Sequence, residues 1–183
     1  GASPDWSEWI FLRTGTSTGM EFWISDTTGT YNQLLISTTI SFTNWAHVAV
    51  TRNGSSWKMF INGALEDTQT YSGSYNCGLG GLRVGWSTWD GANGYYSGYV
   101  SNLRIIKGTA LYSSTFTPST TPLTAVAGTV LLTCQDNRFI DNSTNNYTIT
   151  AATTTVKPLP ASPFTPTISA ASNVYSPTTF GGS

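Results

Sequence analysis

The sequence predicts a nearly all-β fold, and three observations carry that prediction. Short runs of β-branched and aromatic residues recur along the 183-residue chain, separated by Gly, Asn and Asp turn signals. No segment keeps apolar residues at i, i+3, i+4 and i+7 for the roughly ten residues a helix needs. The composition is that of a packed β protein: 31 Thr, 22 Ser and 12 Asn stand beside seven Trp, nine Tyr and eight Phe. Hydroxyls and amides therefore supply solubility while aromatics fill a core.

Taken in order, Trp9 to Leu12 reads as a strand, Gly15 to Gly19 as a turn, and Met20 to Ser25 as the next strand, turned again at Asp26 to Gly29. Gln33 to Ser37 and Thr39 to Phe42 continue the series. Trp45 to Arg52 alternates, with Ala46, Val48 and Val50 on one face, and Asn53-Gly54 supplies the positive-φ pair of a tight hairpin. Trp57 to Ile61 returns, and a second pair, Asn62-Gly63, turns the chain into Ala64-Leu65, so three antiparallel strands form a meander. Leu82, Val84 and Trp86 share one parity and mark a further strand, followed by the loop 87–94. Tyr95 to Ile106 is the longest strand expected, with a parity change that places a bulge near Ser101-Asn102. A short helical turn is expected at Thr109 to Ser113, and later strands at Leu123 to Cys134 and Phe139 to Thr150, the latter turned at Asp141 to Asn146. The expected core comprises Ala46, Val48, Val50, Met59, Ile61, Leu82, Val84, Trp86, Leu103, Ile105 and Leu131.

From Lys157 the composition shifts to Pro, Ser, Thr and Ala, with Pro158, Pro160, Pro163, Pro166 and Pro177. The chain therefore divides into a sandwich over 1–156 and an extended strap or linker over 157–183. Phe164, Ile168, Val174, Tyr175 and Phe180 are too many large apolar residues for a plain linker, so contacts with a neighbour or with the sandwich are expected to order it.

Charge excludes several partners. Eight basic and nine acidic side chains give a net charge of -1, and only 9% of residues are charged, against roughly 25% in an ordinary soluble domain. Neutralising phosphates or anionic lipid takes a Lys/Arg surplus, so neither nucleic acid nor a membrane surface is an expected partner. No apolar run approaches the ~20 residues of a membrane-spanning helix, and membrane insertion is not expected. No signal peptide opens the sequence, which reads as a processed chain or a piece of something larger. Cys77 and Cys134 leave a disulfide and two free thiols as alternatives, and no CxxC or Cys/His cluster is present for zinc.

Four segments in succession carry a family resemblance: Trp45-Ala-His-Val-Ala-Val-Thr-Arg52, Lys58-Met-Phe-Ile-Asn-Gly63, Leu82-Arg-Val-Gly85 and Tyr96-Ser-Gly-Tyr-Val-Ser-Asn-Leu-Arg-Ile105. In order and spacing they resemble laminin-G-like domains of the concanavalin A-like superfamily, over roughly Trp9 to Ile149. The stretch Leu103 to Tyr112, with Phe116-Thr-Pro118 and Val130 to Gln135, is similar to the versions carried by bacteriophage virion proteins. The resemblance implies a jelly-roll sandwich of two antiparallel sheets. Members usually open with an additional strand before the position of Trp9, where this sequence has only Gly1 to Glu8. A missing first strand would leave a sheet edge for another subunit to pair with.

The chemistry that the residues support is binding. The hydrolases of this superfamily need acids spaced along one strand face, and the acids here are scattered: Glu8, Glu21 and Glu66 are isolated, and Glu66-Asp67 alternate faces if extended. His47, the sole histidine, reads as a packed structural residue rather than a base, and no Ser, His and acid can be assembled. Aromatic faces stack on the apolar C–H faces of sugars while Asp and Asn bond their hydroxyls. The candidate carbohydrate-binding residues are Trp89, Asp90, Asn93, Tyr95 and Tyr99, with Trp86 and Tyr96 assigned to the core by parity. The resemblance also makes Asp90 and Asn93 candidate calcium ligands, two of the six to eight oxygens calcium takes. No other cofactor is expected.

The sequence thus predicts a non-catalytic virion or cell-surface component, using a lectin-like sandwich for assembly and adhesion. Its expected partners are other copies of itself, other virion or surface proteins, and cell-surface glycan. The alternative is a carbohydrate-binding module of a secreted bacterial protein.

Overall fold

A computed structural model of the chain describes residues 10–13, 19–25, 31–37, 44–75, 82–85, 96–135, 138–151, 156 and 163–164. Eight strands form among them: β1 (Ile10–Arg13), β2 (Met20–Ser25), β3 (Tyr31–Ile36), β4 (Val48–Asn53), β5 (Ser56–Ile61), β6 (Ala64–Thr70), β7 (Leu103–Ile106) and β8 (Thr129–Thr133). All pairings are antiparallel, in the orders β1-β2-β3, β4-β5-β6 and β7-β8. None of the described residues is helical. The fold is all-β and of the jelly-roll sandwich class.

The first two sheets face each other. Phe22 and Ile24 of β2 and Leu34 and Leu35 of β3 meet Trp57 and Met59 of β5 in one buried cluster, with Met20, Val50 and Tyr71 packed at its margin. The Phe22 and Trp57 rings lie 5.6 Å apart across the interface. Burying each such side chain contributes about 1.5–3 kcal/mol, so this cluster is the main apolar driving force for closing the two sheets.

A bulge in each sheet decides which side chains reach that interface. In β3, Phe22 pairs with Leu35 but Trp23 with Gln33, leaving Leu34 as an additional residue, and Leu34 and Leu35 are buried side by side. In β6, Phe60 pairs with Leu65 and Met59 with Asp67, so Glu66 is the additional residue. Beyond that bulge Asp67 accepts the Ile36 N–H through Oδ2 at 3.0 Å, tying β6 to β3. In the third sheet Ile105 pairs with Leu131 and Ile106 with Thr129, which makes Val130 the extra residue.

The meander turns as its Asn-Gly pairs require. Asn62 and Gly63 take φ of 51° and 83°, both positive as a type I′ loop demands. At the other hairpin Asn53 pairs with Ser56, so the loop is Gly54-Ser55, one residue later than the predicted pair, with Gly54 at φ 59° in first position. A positive φ on Gly at that position is the type II′ pattern.

β5 is buried on both faces, which explains its run of buried Met59, Phe60 and Ile61. Its second face is covered by the segment 112–116. Phe60 packs edge-to-face against Tyr112 and Phe116, whose own rings stack at 3.6 Å and 4°. Thr51 Oγ1 donates to the Tyr112 carbonyl, Lys58 Nζ to the Ser113 carbonyl, and the Phe116 N–H to the Gly63 carbonyl at 3.0 Å. Gly63 has no room for a side chain there: a Cβ would run into the Phe116 carbonyl oxygen.

Several expected elements are corrected. The helical turn at Thr109 to Ser113 does not form: that segment is irregular, and its end is held to the sheet it covers, with Thr51 and Lys58 donating to the Tyr112 and Ser113 carbonyls. Of the strand expected at Tyr95 to Ile106 only Leu103–Ile106 is formed, and 96–102 is irregular. The bulge expected near Ser101-Asn102 is instead a left-handed Asn102 at φ 55°, and the register shift lies between Ile105 and Ile106. Leu82 and Val84, expected in a strand and in the core, are exposed and outside any strand; Tyr96 and Val100 are also exposed. Parity carries no burial information where no ladder fixes the backbone. Met59, Ile61 and Leu131 are buried as expected, whereas Ala46, Val48, Val50, Leu103 and Ile105 are half-buried.

Thr129–Thr133 is the only strand within Leu123 to Cys134, and 139–150 forms none. That stretch docks as a loop along the free side of β8. Asp141 accepts the N–H groups of Leu132, Ser143 and Tyr147 at 3.0, 2.9 and 2.9 Å and the Ser143 hydroxyl at 2.9 Å. In return Asn142 N–H donates to the Leu132 carbonyl, and Ser143 Oγ and Asn145 Nδ2 to that of Val130. The turn predicted at Asp141 to Asn146 is therefore present, built around a carboxylate instead of a strand pair.

Thr39 to Phe42, the turns at Gly15 and Asp26, Trp86 and Cys77 lie outside the described residues. Cys134 is a free, half-buried thiol whose pKa burial pushes up. Val156, the last residue assigned to the sandwich, is exposed; in the region read as a strap Phe164 is half-buried, and Ile168, Val174, Tyr175 and Phe180 lie outside the described residues.

Candidate glycan-binding site

Tyr99 is the one candidate binding residue among the described residues; Trp89, Asp90, Asn93 and Tyr95 lie outside them, and with Asp90 and Asn93 the candidate calcium ligands. The backbone holds Tyr99 from both sides. Upstream, the Tyr96 N–H donates to the Gly85 carbonyl at 2.8 Å. Downstream, the Asn102 N–H donates to the Cys134 carbonyl at 2.8 Å, fastening the chain to the end of β8. Between these anchors Tyr99 stands 60% exposed.

Its neighbour is Trp45, a residue the sequence reading left inside a strand. Trp45 lies three positions before β4, in a lead-in fixed by a reciprocal pair: His47 N–H donates to Asn62 Oδ1 at 2.9 Å and Asn62 N–H to the His47 carbonyl at 2.8 Å. The Trp45 and Tyr99 ring centroids are 6.3 Å apart at 45°, and Trp45 is 39% exposed. The signal was available, since Trp45 has the parity opposite to Ala46, Val48 and Val50. An exposed, angled Trp–Tyr pair presents apolar ring faces to solvent and a phenolic hydroxyl that can donate or accept.

The described acids are engaged elsewhere. Glu21 Oε2 accepts the Trp23 indole N–H at 3.0 Å. Asp67 holds the N–H groups of Ile36 and Thr68 and the Gln69 amide. Asp141 is enclosed by four donors: burial pushes its carboxyl up, but the hydrogen bonds from Leu132, Tyr147 and Ser143 outweigh it and hold it below the usual carboxylate range. Among the described residues no three His, Cys, Asp or Glu gather in a metal-holding group. His47, as expected, packs rather than projecting into a cleft: its ring stands edge-to-face with Tyr112 and Phe116 at 6.1 and 5.4 Å.

The antiparallel sheets packed face to face define the class of the chain, a β-sandwich domain. Residues 2–114 match the laminin-G-type family described as the Concanavalin A-like lectin/glucanases superfamily, and the chain belongs to that family. No curated protein and no solved structure matches it.

Proposed function

We propose that the domain is a non-catalytic adhesion and assembly module that grips glycan through Trp45 and Tyr99, with the sequence candidates Trp89, Asp90, Asn93 and Tyr95 completing the site. The exposed Trp45–Tyr99 pair carries this reading. A sugar stacked on the pair would lose water from its C–H face and from two aromatic faces at once, and loop carboxylate and amide groups would fix its hydroxyls. The non-catalytic part is supported by Glu21, Asp67 and Asp141, whose oxygens are committed to structural donors. The reading places the protein on a virion or at a cell surface, among copies of itself or other surface proteins, on the strength of the resemblance of 103–135 to phage virion domains. Calcium, held by Asp90 and Asn93, is the one cofactor it admits.

The test is a glycan array probed with the wild-type chain, Trp45→Ala and Tyr99→Ala, in buffer with calcium and with EDTA. Binding that falls several-fold, up to ~10-fold, in either variant supports the site, since a well-placed aromatic contact is worth about 0.5–1.5 kcal/mol beyond the area it buries. Glycan binding undiminished in both variants would remove it. Loss in EDTA would give Asp90 and Asn93 a calcium role. A monomer that binds glycan would favour the secreted carbohydrate-binding module over the assembly protein.

A further inference from the structure

We propose that His47 is an acid-sensitive latch: in its neutral form it pins the segment 112–116 onto the outer face of β4 and β5, and its protonation releases that segment. The inference stands apart from glycan binding and rests on the contacts of the segment 112–116. His47 is the only histidine in the chain. Its ring is wedged perpendicular to the stacked Tyr112 and Phe116, the same two rings that cap Phe60. Its Nδ1 is buried and meets no hydrogen-bond partner. A proton placed on that nitrogen would be a buried donor with nothing to receive it, a larger penalty than a buried unprotonated acceptor.

The charges around the ring act in the same direction. From β7, Arg104 directs one guanidinium nitrogen at the Tyr112 hydroxyl, 3.5 Å away, and another at the Thr124 carbonyl. From β5, Lys58 reaches the Ser113 carbonyl on the same face. The covering segment contributes the Tyr112 phenol, and β4 contributes Thr51, which is uncharged. An imidazolium here would thus sit near the Arg104 cation. Desolvation and the nearby Arg104 charge accordingly hold the His47 pKa below its ordinary value. Once the segment lifts away, the ring regains water and its ordinary affinity for a proton.

The sign follows from that difference. Closure of 112–116 over a neutral His47 is fully favoured above the ordinary imidazole pKa near 6.5. It weakens as pH falls from there through the closed-state value, because the open form binds the proton and the closed form does not. One proton sets a ceiling of about 30-fold on the rise in the opening constant between pH 8 and pH 5.

Hydrogen exchange of the full chain at pH 8 and pH 5, corrected for the intrinsic pH dependence of exchange, reads that constant at the Phe116 amide, which donates to Gly63. Protection of 112–116 in the wild type should fall several-fold, up to about the 30-fold ceiling, while His47→Phe keeps it unchanged. Because the chain has one histidine, its ring proton signal in NMR can be followed without assignment. Its midpoint should lie below 6.5 and the loss of protection should track it. Equal loss in wild type and variant, unchanged protection in the wild type, or an imidazole midpoint at or above 6.5 would each overturn the latch. If His47→Phe does not fold, the two wild-type measurements decide on their own.

Discussion

Replacing Asp141 tests whether one carboxylate organises the loop that covers β8. Its Oδ1 receives the Leu132 and Ser143 N–H groups, and its Oδ2 the Tyr147 N–H and the Ser143 hydroxyl. Asp141 is 3% exposed and Leu132 and Ser143 are also buried, whereas Tyr147 is 58% exposed and its N–H can turn to water. Asp141→Ala therefore strands two buried donors at about 1–3 kcal/mol each, for a loss of about 4 kcal/mol once the charge-assisted part is included. Asp141→Asn keeps an oxygen in the Oδ1 position and both buried N–H bonds, but turns an amide toward the Tyr147 N–H. Its cost should be about 1.5 kcal/mol. Urea unfolding at pH 7, followed by tryptophan fluorescence, measures both values against a total stability of about 5–15 kcal/mol for a domain of this kind. Because the folded carboxyl titrates below its unfolded value, its contribution is present above the ordinary aspartate pKa and lost as pH falls through the folded one; the wild type should lose more stability below pH ~4 than Asp141→Asn does. An Asp141→Ala loss under ~1 kcal/mol, or an Asn variant as unstable as the Ala variant, would refute the account.

Two further substitutions address the covering segment. Gly63→Ala drives a Cβ into the Phe116 carbonyl and burdens a left-handed φ, so it should cost more than the ~1 kcal/mol of a strained turn alone and raise hydrogen exchange at Phe116 first. Phe60→Ala removes a fully buried ring from beneath Tyr112 and Phe116 and should cost about 3–5 kcal/mol in the same urea assay, with a cost under ~1 kcal/mol showing that the segment does not pack on β5.

What the sequence made legible follows from which physical signal each element carries. The β4-β5-β6 meander was readable because alternation and two Asn-Gly pairs are local, and a local signal fixes register to within a residue, as the shift to Gly54-Ser55 shows. Leu34 and Leu35 were missed as core because the β3 bulge puts two consecutive leucines inside, which no period-2 pattern predicts, whereas Phe22 and Ile24 of β2 do alternate and were legible. Phe60 was missed because its parity is opposite to that of Met59 and Ile61, and only a segment some fifty residues downstream makes that second face an interior. The same reasoning explains the binding site. Tyr99 was found by exclusion from the core parity, while Trp45 could be paired with it only once the distance between lead-in and loop was known.

The covering segment also shows how far the folded unit is interlocked. The family match ends at residue 114, within the stretch that covers β5, yet the interactions that seat this stretch run on through the chain. Phe116 is bound to the Gly63 turn, and Arg104, which meets Tyr112, is braced by the Thr124 carbonyl. The Leu123 N–H donates to Asn102 Oδ1, and the Gln135 amide to the Leu123 carbonyl, so 123–124 is strung between β7 and the end of β8. β8 supplies the ladder for β7 and is itself closed off by the Asp141 loop. Arg104 would lose its orientation without β8, and Tyr112 would lose Arg104, so the residues that cover the meander depend on contacts beyond the span matched to the family. An edge left bare at β8 would also expose unpaired carbonyls at Val130 and Leu132, the groups now bonded by Ser143, Asn145 and Asn142. A loop built on one buried carboxylate does here what a further strand would do in a regular sandwich: it satisfies the edge and leaves it unavailable for pairing with another chain.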